Sequence, residues 1–453
     1  MTTAVTDLLS PCRTDPNAAL PVPDIQSQGL PWMRLLERAG LLGVHPPRNG
    51  TSNVDASDLP FQRWYRFKEA FTPSFVAEIF AGMGSLPATC LDPFGGSGTT
   101  ALAAQCLGVH PTTIEVNPFL ADLMEAKLFR HSLGSVRAGW LRVLRAVADE
   151  PTAFWPVTPP PSFIEPGVGG RWIFDSEIAG RVGAYVQAIS AIDDPQVRRL
   201  FRVLLGSALI HVSNVVISGK GRRYRGARTQ VRASVQELDA RLDRGFRAIF
   251  SDIARYGARP ETDYRLLRGD ARVLTRESAP VDAILFSPPY PNSFDYTDIY
   301  NVELWALGYL SNSGENRSLR EATLRSHVQI VRSFDGALPT SPTLDEVCAR
   351  LHELGSALWS PHIPAMLHAY FADMCDVLSQ CRGRLNPGGA IFAVVGDSRY
   401  AKVTIDVSRI LCELSAPLGL RIHRAVPVRS MRSSAQQGGG LDLTEWLLEF
   451  RPS

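Results

Sequence analysis

The chain of 453 residues contains little lysine, and its positive charge comes almost entirely from arginine. Lysine occurs only at positions 68, 127, 220 and 402. The planar fork of arginine suits phosphate and guanine, but a GC-rich coding sequence would produce the same bias, so the bias decides nothing. The formal net charge is +2. Any attraction to nucleic acid must therefore come from local clusters of basic side chains.

The sequence also lacks paired cysteines, long apolar runs and histidine clusters. Its seven cysteines form no C-x-x-C pair, which indicates neither a disulfide framework nor a zinc ribbon. No apolar run approaches the roughly 20 residues of a membrane-spanning helix, and the N-terminus has no basic segment followed by an apolar one. The histidines show no ligand spacing, which predicts no metal site. We therefore expect a soluble, cytoplasmic protein without a membrane partner.

Alternating strands and helices predict an α/β fold in two parts of the chain. Between 59 and 130, the strand ATCLD, a glycine-rich turn, a helix of small residues, the strand TTIEV and a second helix follow one another. From 263 to 453 further strands follow, among them VDAILF, GGAIFAVVG and TEWLLEF. This order is typical of a mostly parallel sheet with right-handed crossovers.

Three segments interrupt that order. Residues 131–262 contain four stretches of helical spacing with no strand series between them, which predicts a helical insertion. Residues 1–58 are rich in proline, aspartate, serine and asparagine, and predict an N-terminal arm. Residues 308–345 are polar and predict an irregular insertion within the second part.

The first chemical signal is the stretch LDPFGGSGTT, which runs from Leu91 to Thr100. A strand that ends in an acid and continues through glycines into a helix lets the backbone approach a ligand closely. The stretch has neither the lysine of a phosphate-binding loop nor the spacing of the nicotinamide fingerprint.

Two later acids strengthen that signal. Glu115 ends the next strand, where an acid can accept hydrogen bonds from ribose hydroxyls, or can simply favour the start of the following helix. Asp270 follows a later strand and can accept from an adenine amine, or cap a helix. The glycine turn and the two acids together predict a nucleoside cofactor.

The second signal is Ser-Pro-Pro-Tyr, residues 287–290, at the end of the strand VDAILF. Two prolines remove two backbone donors, so the chain leaves the sheet abruptly. Ser287 Oγ and the carbonyl of Pro288 then form a pair of acceptors, and Tyr290 supplies a flat face. This set suits the exocyclic amine of a nucleobase. The structural alternative is a tight exit turn with a core tyrosine.

These motifs resemble those of the DNA amino-methyltransferases, which use S-adenosylmethionine to methylate a base amine. The resemblance rests on LDPFGGSGTT, GDARVL, DAILFSPPY and LNPGGAIFAVVGDS, and covers roughly 60–128, 264–310 and 365–451. It implies an α/β fold: a Rossmann-like methyltransferase domain with a mostly parallel seven-stranded sheet, helices on both faces and the helical insertion. The serine of the tetrapeptide is most typical of enzymes that methylate the N4 amine of cytosine.

The resemblance also implies roles for particular residues. The glycine turn would hold the methionine part of the cofactor, Glu115 the ribose and Asp270 the adenine, while RWYRFKEAFTPSF would close over it. The implied catalytic residues are Ser287, Pro288, Pro289 and Tyr290. The implied cofactor-binding residues are Lys68, Phe71, Thr72, Asp92, Pro93, Phe94, Gly95, Gly96, Ser97, Gly98, Thr99, Glu115, Asn117, Asp270 and Ala271. The aromatic residues Phe294, Tyr296 and Tyr300 could line the pocket or only pack.

The order of the motifs leaves alternatives open. Many enzymes with Ser-Pro-Pro-Tyr carry it before the glycine turn, whereas here it follows by about 190 residues. RNA amino-methyltransferases share the order found here, so RNA stays an alternative to DNA, and the N6 amine of adenine stays an alternative to cytosine. A catalytically silent DNA-binding module is a further alternative, which the intact motifs disfavour.

A basic run, SGKGRRYRGARTQVR at 218–232, is the best candidate for DNA contact. It contains six basic residues and no acid. Such a run is usually a solvated surface, but its glycines and interleaved tyrosine favour a loop that binds phosphate or a groove. The predicted DNA-binding residues are Lys220, Arg222, Arg223, Tyr224, Arg225, Arg228 and Arg232. The polar stretch at 312–336 is a weaker candidate.

The implied mechanism is direct displacement, without a covalent enzyme intermediate, on a base flipped out of the duplex. Duplex DNA is the expected partner, and a companion restriction endonuclease is a candidate partner. Either a monomer or a homodimer could serve such a reaction.

Overall fold

The computed structural model describes residues 58–67, 70–155, 157–218, 221–226, 229–230, 232–260, 262–292, 294–336, 339–432 and 442–453. The predicted N-terminal arm, 1–58, lies outside them except for its last residue. The described strands are β1 (Thr89–Asp92), β2 (His110–Glu115), β3 (Val215–Ser218), β4 (Gly221–Tyr224), β5 (Arg265–Arg268), β6 (Val281–Phe286), β7 (Leu385–Gly396), β8 (Ser398–Tyr400), β9 (Val403–Ile405), β10 (Leu420–Arg432) and β11 (Asp442–Pro452). The described α-helices are α1 (Pro73–Ala81), α2 (Thr99–Cys106), α3 (Pro118–Leu128), α4 (Leu133–Asp149), α5 (Ser176–Ser190), α6 (Pro195–Leu209), α7 (Val235–Tyr256), α8 (Ala271–Leu274), α9 (Tyr296–Ile299), α10 (Asn301–Ala306), α11 (Ser313–Glu321), α12 (Pro342–Leu354), α13 (Ile363–Arg382) and α14 (Val407–Ser415).

Seven of these strands form one sheet in the order β10–β11–β7–β6–β1–β2–β5. The strands β5, β2, β1, β6 and β7 pair in parallel, whereas β11 runs antiparallel to both of its neighbours. The predicted Rossmann-like, mostly parallel seven-stranded sheet is confirmed. Since the parallel strands end at the same edge, the loops that follow β1, β2, β5 and β6 meet there.

Both faces of the sheet are covered by helices. Alternate residues of β6 point to opposite sides: Ala283 and Leu285 belong to a core shared with α1 to α7, and Ile284 and Phe286 to a core shared with α12, α13 and α14. Burial on both sides explains why VDAILF is apolar at nearly every position instead of alternating.

The predicted helical insertion, 131–262, contains α4 to α7 and shares its core with one face of the sheet. Trp140 in α4 stacks on Phe246 in α7, with ring centroids 5.1 Å apart. In α6, a Cβ added to Gly206 would lie 2.7 Å from Cε2 of Phe119 in α3. The absence of a side chain at Gly206 therefore lets the insertion pack closely on a helix of the sheet domain.

Two local expectations are corrected by the structure. The basic run at 218–232, predicted as a loop, begins within a hairpin in which β3 and β4 pair antiparallel. The stretch 308–345, predicted as irregular, contains α11, whose N-cap Asn312 accepts from the backbone N of Glu315 at 3.0 Å. None of the described side chains of α11 is buried, so it lacks the apolar spacing by which a helix is predicted.

Buried aspartates connect the insertion to the rest of the chain. Asp252 in α7 is fully buried and accepts from the backbone N of Phe61 at 2.9 Å, Nε of Arg63 at 3.1 Å and Nε1 of Trp64 at 2.9 Å. The ionic contact with Arg63 balances the charge that the helix buries. Removing one partner of such a pair leaves a buried charge without compensation.

Asp122 in α3 also connects the insertion to the rest of the chain. It accepts from Nε of Arg199 in α6 at 3.0 Å, from Nη2 of Arg268 in β5 at 2.8 Å and from the hydroxyl of Tyr309 at 2.6 Å. Four segments far apart in sequence therefore meet at one carboxylate.

Lys127 in α3 is fully buried beneath the glycine turn. Its Nζ donates to the carbonyl of Ser97 at 2.7 Å and to Oε1 of Gln62 at 3.3 Å. Burial lowers the pKa of Lys127 from 10.5 to about 7. Between these values the unfolded chain binds more protons than the folded one, so the stability contributed by this group rises with pH and is lost as the pH falls toward 7.

We expect Lys127→Met to remove this pH dependence. In the native sequence, the free energy of unfolding should rise between about pH 7.5 and 10, with a slope from this group that approaches about 1.4 kcal/mol per pH unit, because one proton fewer is bound in the folded state. Denaturant unfolding across this range measures the slope. Lys402→Met is the control, since Lys402 is exposed. Equal slopes in both variants would contradict a neutral buried amine at Lys127.

Candidate active site

The glycine turn between β1 and α2 lies directly against β2 and α3. The backbone N of Gly95 donates to the carbonyl of Ile114 at 2.9 Å. A Cβ added to Gly95 would lie 2.2 Å from Oγ1 of Thr113, and one added to Gly98 would lie 2.5 Å from Cγ of Met124. Gly98 has φ +78° at the start of α2, a left-handed conformation that favours glycine. Both positions therefore exclude a side chain.

Two buried carboxylates flank this turn. Glu115 accepts from the backbone N of Gly96 through Oε2 and from that of Asn117 through Oε1, both at 2.8 Å. Asp92 accepts from the backbone N of Phe94 at 2.9 Å. Burial raises the pKa of Glu115 to about 7 and that of Asp92 to about 6. Additional donors from a ligand would therefore stabilise the ionised form of Glu115.

Asp270 caps α8 and also faces the site. Its Oδ1 accepts from the backbone N of Arg272 at 2.9 Å, and its Oδ2 lies 2.7 Å from Nη2 of the same arginine. Nη1 of Arg272 in turn lies 3.2 Å from Oδ2 of Asp373 in α13. The helix-cap interpretation of Asp270 is therefore seen in the structure, with the carboxylate held in place by an arginine behind it.

Ser-Pro-Pro-Tyr follows β6 at the same edge of the sheet. Ser287 Oγ lies 3.3 Å from the hydroxyl of Tyr290, and that hydroxyl donates to Oε1 of Glu445 at 2.6 Å. Burial and the neighbouring carboxylate of Glu445 keep the pKa of Tyr290 well above its ordinary value. The phenol therefore stays protonated and remains a donor.

A cavity of about 270 Å³ joins these groups. Its wall contains the predicted residues Phe71, Pro93, Phe94, Gly96, Glu115, Asn117, Asp270, Ala271, Ser287, Pro288, Pro289 and Tyr290. Tyr296 and Tyr300 also line it, whereas Phe294 packs against Tyr296 with ring centroids 4.5 Å apart. The four loops that follow β1, β2, β5 and β6 therefore converge on one space.

Of the remaining predicted cofactor residues, those that the structure describes do not line that cavity. Thr72 caps α1, where its Oγ1 accepts from the backbone N of Phe75 at 3.2 Å. Lys68 lies outside the described residues. The other predicted residues of the turn are buried and are not part of the cavity wall: Asp92, Gly95, Ser97, Gly98 and Thr99.

Sequence reasoning did not single out several residues of the wall. Glu445 and Arg429 reach it from β11 and β10, and Phe67 from the segment before α1. An acid inside the otherwise apolar strand TEWLLEF was an available signal for Glu445. The segment after α11 also contributes to the wall, within the stretch 312–336 that was predicted only as a weaker candidate for DNA contact; its wall residues are Ala322, Thr323, Leu324, Ser326 and His327.

The hairpin of β3 and β4 contacts helix α9, part of which lines this cavity, although none of the hairpin's described residues lines the cavity itself. Nη2 of Arg222 lies 3.6 Å from Oδ1 of Asp298 in α9, and Tyr296 and Thr297 of the same helix line the cavity. The guanidinium of Arg222 also lies over the ring of Tyr224, 5.4 Å from its centroid. The predicted basic region is therefore linked to the cavity wall through one helix.

The other members of the basic region have different surroundings. Arg223 is exposed and Arg225 is half-buried. Arg232 forms an ion pair with Glu165, with Nη2 and Oε1 2.6 Å apart. Lys220 and Arg228 lie outside the described residues.

Across the described ranges, no group of three or more histidine, cysteine, aspartate or glutamate side chains is placed to hold a metal ion. Among the helices described, none is long and apolar enough to cross a membrane.

No protein-family model matches the chain. Type II methyltransferase M.AvaI from Nostoc sp. (strain PCC 7120 / SAG 25.82 / UTEX 2576), and the protein of the same name from Anabaena variabilis, are each 24% identical to it over 411 residues, covering 84% of this chain and 83% of theirs. Type II methyltransferase M.BsoBI from Geobacillus stearothermophilus is 23% identical over 436 residues, covering 83% of this chain and 82% of its own. The chain is similar to type II methyltransferases.

These relatives span more than four fifths of the chain and support methyltransferase activity. Two solved structures also align with it. The first is the rRNA methyltransferase aviRa from Streptomyces viridochromogenes, with 10% identity, a TM-score of 0.30 and coverage of 89% of this chain and 96% of the other. The second is the mitomycin 7-O-methyltransferase MmcR, with 11% identity, a TM-score of 0.24 and coverage of 99% of this chain and 76% of the other. TM-scores this low carry no argument, so the fold rests on the strand order.

We expect Gly95→Ala to destabilise the protein by about 1–3 kcal/mol, because the new Cβ would overlap Oγ1 of Thr113. Denaturant unfolding measures the loss. Adding Thr113→Ala removes the nearer overlapping atom and leaves only the flexible side chain of Met124, with its Sδ at 2.8 Å, so the double variant should be more stable than the sum of the two single losses implies. Strict additivity of the two changes would show that the close approach is not what requires glycine.

Proposed function

We propose that the chain is a DNA methyltransferase that transfers a methyl group from S-adenosylmethionine to the N4 amine of a cytosine within a specific duplex sequence. The observation that carries the proposal is the convergence of Ser287, Tyr290, Glu115 and Asp270 on one cavity. The similarity to type II methyltransferases supports the reaction class. The serine of the tetrapeptide supports cytosine over adenine.

The residues of the cavity fit S-adenosylmethionine. Glu115 is a buried acceptor with a raised pKa, which ribose hydroxyls would stabilise in its ionised form. Asp270 offers acceptors to an adenine amine, and the rings of Phe71 and Phe94 give the wall apolar surface. The glycine turn leaves backbone close to the cavity at Gly96. When bound, S-adenosylmethionine supplies a methyl group whose C–S bond breaks with its electron pair left on sulfur.

The acceptor pair at the end of β6 would hold the target amine. Ser287 Oγ and the carbonyl of Pro288 accept its two N–H groups and keep its lone pair directed at the methyl group, while Tyr290 contacts the base ring. Ser287 is too weak a base to deprotonate a neutral amine. The residues therefore act by positioning, and the amine releases one proton to water as its new N–C bond forms.

A cytosine inside a duplex cannot reach an enclosed cavity, so the base must flip out of the stack. The basic hairpin is the proposed DNA contact. Arg222 of the hairpin pairs with Asp298 in α9, beside the cavity residues Tyr296 and Thr297, so phosphates near the flipped nucleotide would lie within reach of Arg223 and its neighbours. Arginine side chains there would supply both charge and a planar donor group. A companion restriction endonuclease, and action as a monomer or a homodimer, stay predictions.

Nucleoside analysis of reaction products tests the proposal. Purified protein is incubated with labelled S-adenosylmethionine and, separately, with duplex DNA and total RNA, and the digested nucleosides are identified by mass and retention. We expect N4-methyldeoxycytidine from duplex DNA alone. Sequencing of methylated DNA would then locate the target site. N6-methyldeoxyadenosine would refute the choice of cytosine, and label confined to RNA would refute the choice of DNA.

Ser287→Ala is the matched variant in that experiment. It removes one acceptor at the amine, so we expect S-adenosylmethionine to bind with unchanged affinity while turnover falls by about tenfold or more. Calorimetric titration of the cofactor and the rate of methyl transfer separate the two effects. Unaffected turnover would exclude the hydroxyl from the reaction.

A second prediction concerns the hairpin. We expect Arg223→Gln to weaken duplex binding for any sequence and to reduce the slope of log affinity against log salt concentration by about 1, the value for one lost phosphate contact. Arg142→Gln on α4 is the control, because Arg142 is also exposed and pairs with Asp193. Fluorescence anisotropy over a salt series measures both. Identical slopes for the two variants would move the DNA contact away from Arg223.

A further inference from the structure

The hydrogen bonds beneath the candidate amine site form a short chain that ends in a charged pair. Ser287 Oγ lies 3.3 Å from the hydroxyl of Tyr290, which donates to Oε1 of Glu445 at 2.6 Å. Ser287, Tyr290, Glu445 and Arg429 all line the cavity. The chain therefore begins at the atom proposed to touch the substrate.

The end of that chain is held by the sheet. Glu445 in β11 lies directly opposite Arg429 in β10. Nε of Arg429 is 3.1 Å from Oε2 of Glu445, and its Nη2 is 3.3 Å from Oε1. The Glu445 side chain is 4% exposed. An arginine cannot lose its proton in a protein, so this pairing favours an ionised carboxylate, which only accepts hydrogen bonds.

Counting protons fixes the direction of each bond in the chain. Tyr290 has one hydroxyl proton, and its short contact with the carboxylate uses it. The phenol oxygen can then act only as an acceptor toward Ser287, so the single proton of the Ser287 hydroxyl is directed to Tyr290. Because the hydroxyl hydrogen of Ser287 points to Tyr290, the two lone pairs of its Oγ can face the cavity as acceptors.

We propose that Glu445 and Arg429, acting through Tyr290, hold the Ser287 hydroxyl as a hydrogen-bond acceptor, so that the cavity accepts a base with an amine at this position and rejects one with a carbonyl. The proposal rests on the proposed function and identifies Glu445 as a positioning residue. Cytosine and uracil have nearly the same shape and differ in the group at ring position 4, an amine against an oxygen, and in the hydrogen that uracil carries on the adjacent N3. If the Ser287 hydroxyl cannot rotate to donate, the carbonyl oxygen of uracil faces a lone pair of Ser287 Oγ. Such an unpaired contact discriminates strongly between the two bases.

Two variants should release the Ser287 hydroxyl from its role as an acceptor, each by a different route. In Glu445→Gln, the donors of Arg429 favour the amide oxygen, so the amide NH₂ is turned to Tyr290, and the phenol can donate to Ser287 instead. In Tyr290→Phe, no phenol oxygen remains, and the Ser287 hydroxyl can rotate. Both changes let Ser287 donate to a carbonyl.

Glu449→Gln is the matched control. Glu449 lies on the same strand, its side chain is also 4% exposed, and it faces Arg424 in β10 in the same cross-strand manner. It pairs with Arg451 at 2.8 Å and is absent from the cavity wall. It therefore reproduces the change of charge and burial without the link to Tyr290.

The test measures affinity for a duplex with cytosine at the mapped target position and for the same duplex with uracil there. We expect the ratio of the two affinities to fall about tenfold in Glu445→Gln and Tyr290→Phe relative to the native chain, and to stay unchanged in Glu449→Gln. An unchanged ratio in Glu445→Gln would overturn the proposal, even if its turnover falls. Were adenine the methylated base, adenine and hypoxanthine would form the equivalent pair.

A second readout needs neither DNA nor cofactor. In protein labelled with ¹³C at Cζ of tyrosine, the Tyr290 resonance is assigned by its loss in Tyr290→Phe. We expect it to shift in Glu445→Gln and to stay in place in Glu449→Gln. No shift in Glu445→Gln would overturn the hydrogen-bond chain itself. Failure of the proposed function would appear separately, as the absence of any methylated base with the native protein.

Discussion

The close approach of the glycine turn to β2 and α3 is the constraint on which the site depends. With no side chain at Gly95 or Gly98, the turn lies against Thr113 and Met124, which brings Gly96 within hydrogen-bond distance of Glu115. A larger residue would separate β1 from β2 at the edge where the cavity forms. The acid and the turn are therefore one unit, and neither would be in position without the other.

Buried polar contacts extend this unit to the helical region. Lys127 supports the turn from below through the carbonyl of Ser97, while Asp252 and Asp122 join α7 and α6 to the segments around the sheet. Such contacts add little net stability when complete but are costly to break. They make the helical region part of the support for the site, because its displacement would leave charged groups without partners.

The sequence predicted the sheet and the motifs well, because apolar strands and glycine-rich turns are local signals. VDAILF is predicted as a strand buried on both faces, and its abrupt end at Ser287 predicts an acceptor there without any knowledge of the fold. Helix α11 was not predicted because it consists of polar side chains behind the N-cap Asn312. It has no buried face, so its sequence shows no apolar periodicity. The hairpin of β3 and β4 was not predicted because β4, with the sequence GRRY, carries two arginines inside a glycine-containing basic run that resembles a loop.

By itself the sequence determined the class of fold, the glycine turn, the acid that ends β2, the acid that follows β5, and the tetrapeptide after β6, since each depends on neighbours within a few residues. The tertiary structure alone decided which distant residues complete the cavity. Tyr290 and Glu445 are separated by 155 positions, and their contact depends on where β11 enters the sheet. No local pattern encodes that distance, because it is set by the packing of the whole sheet.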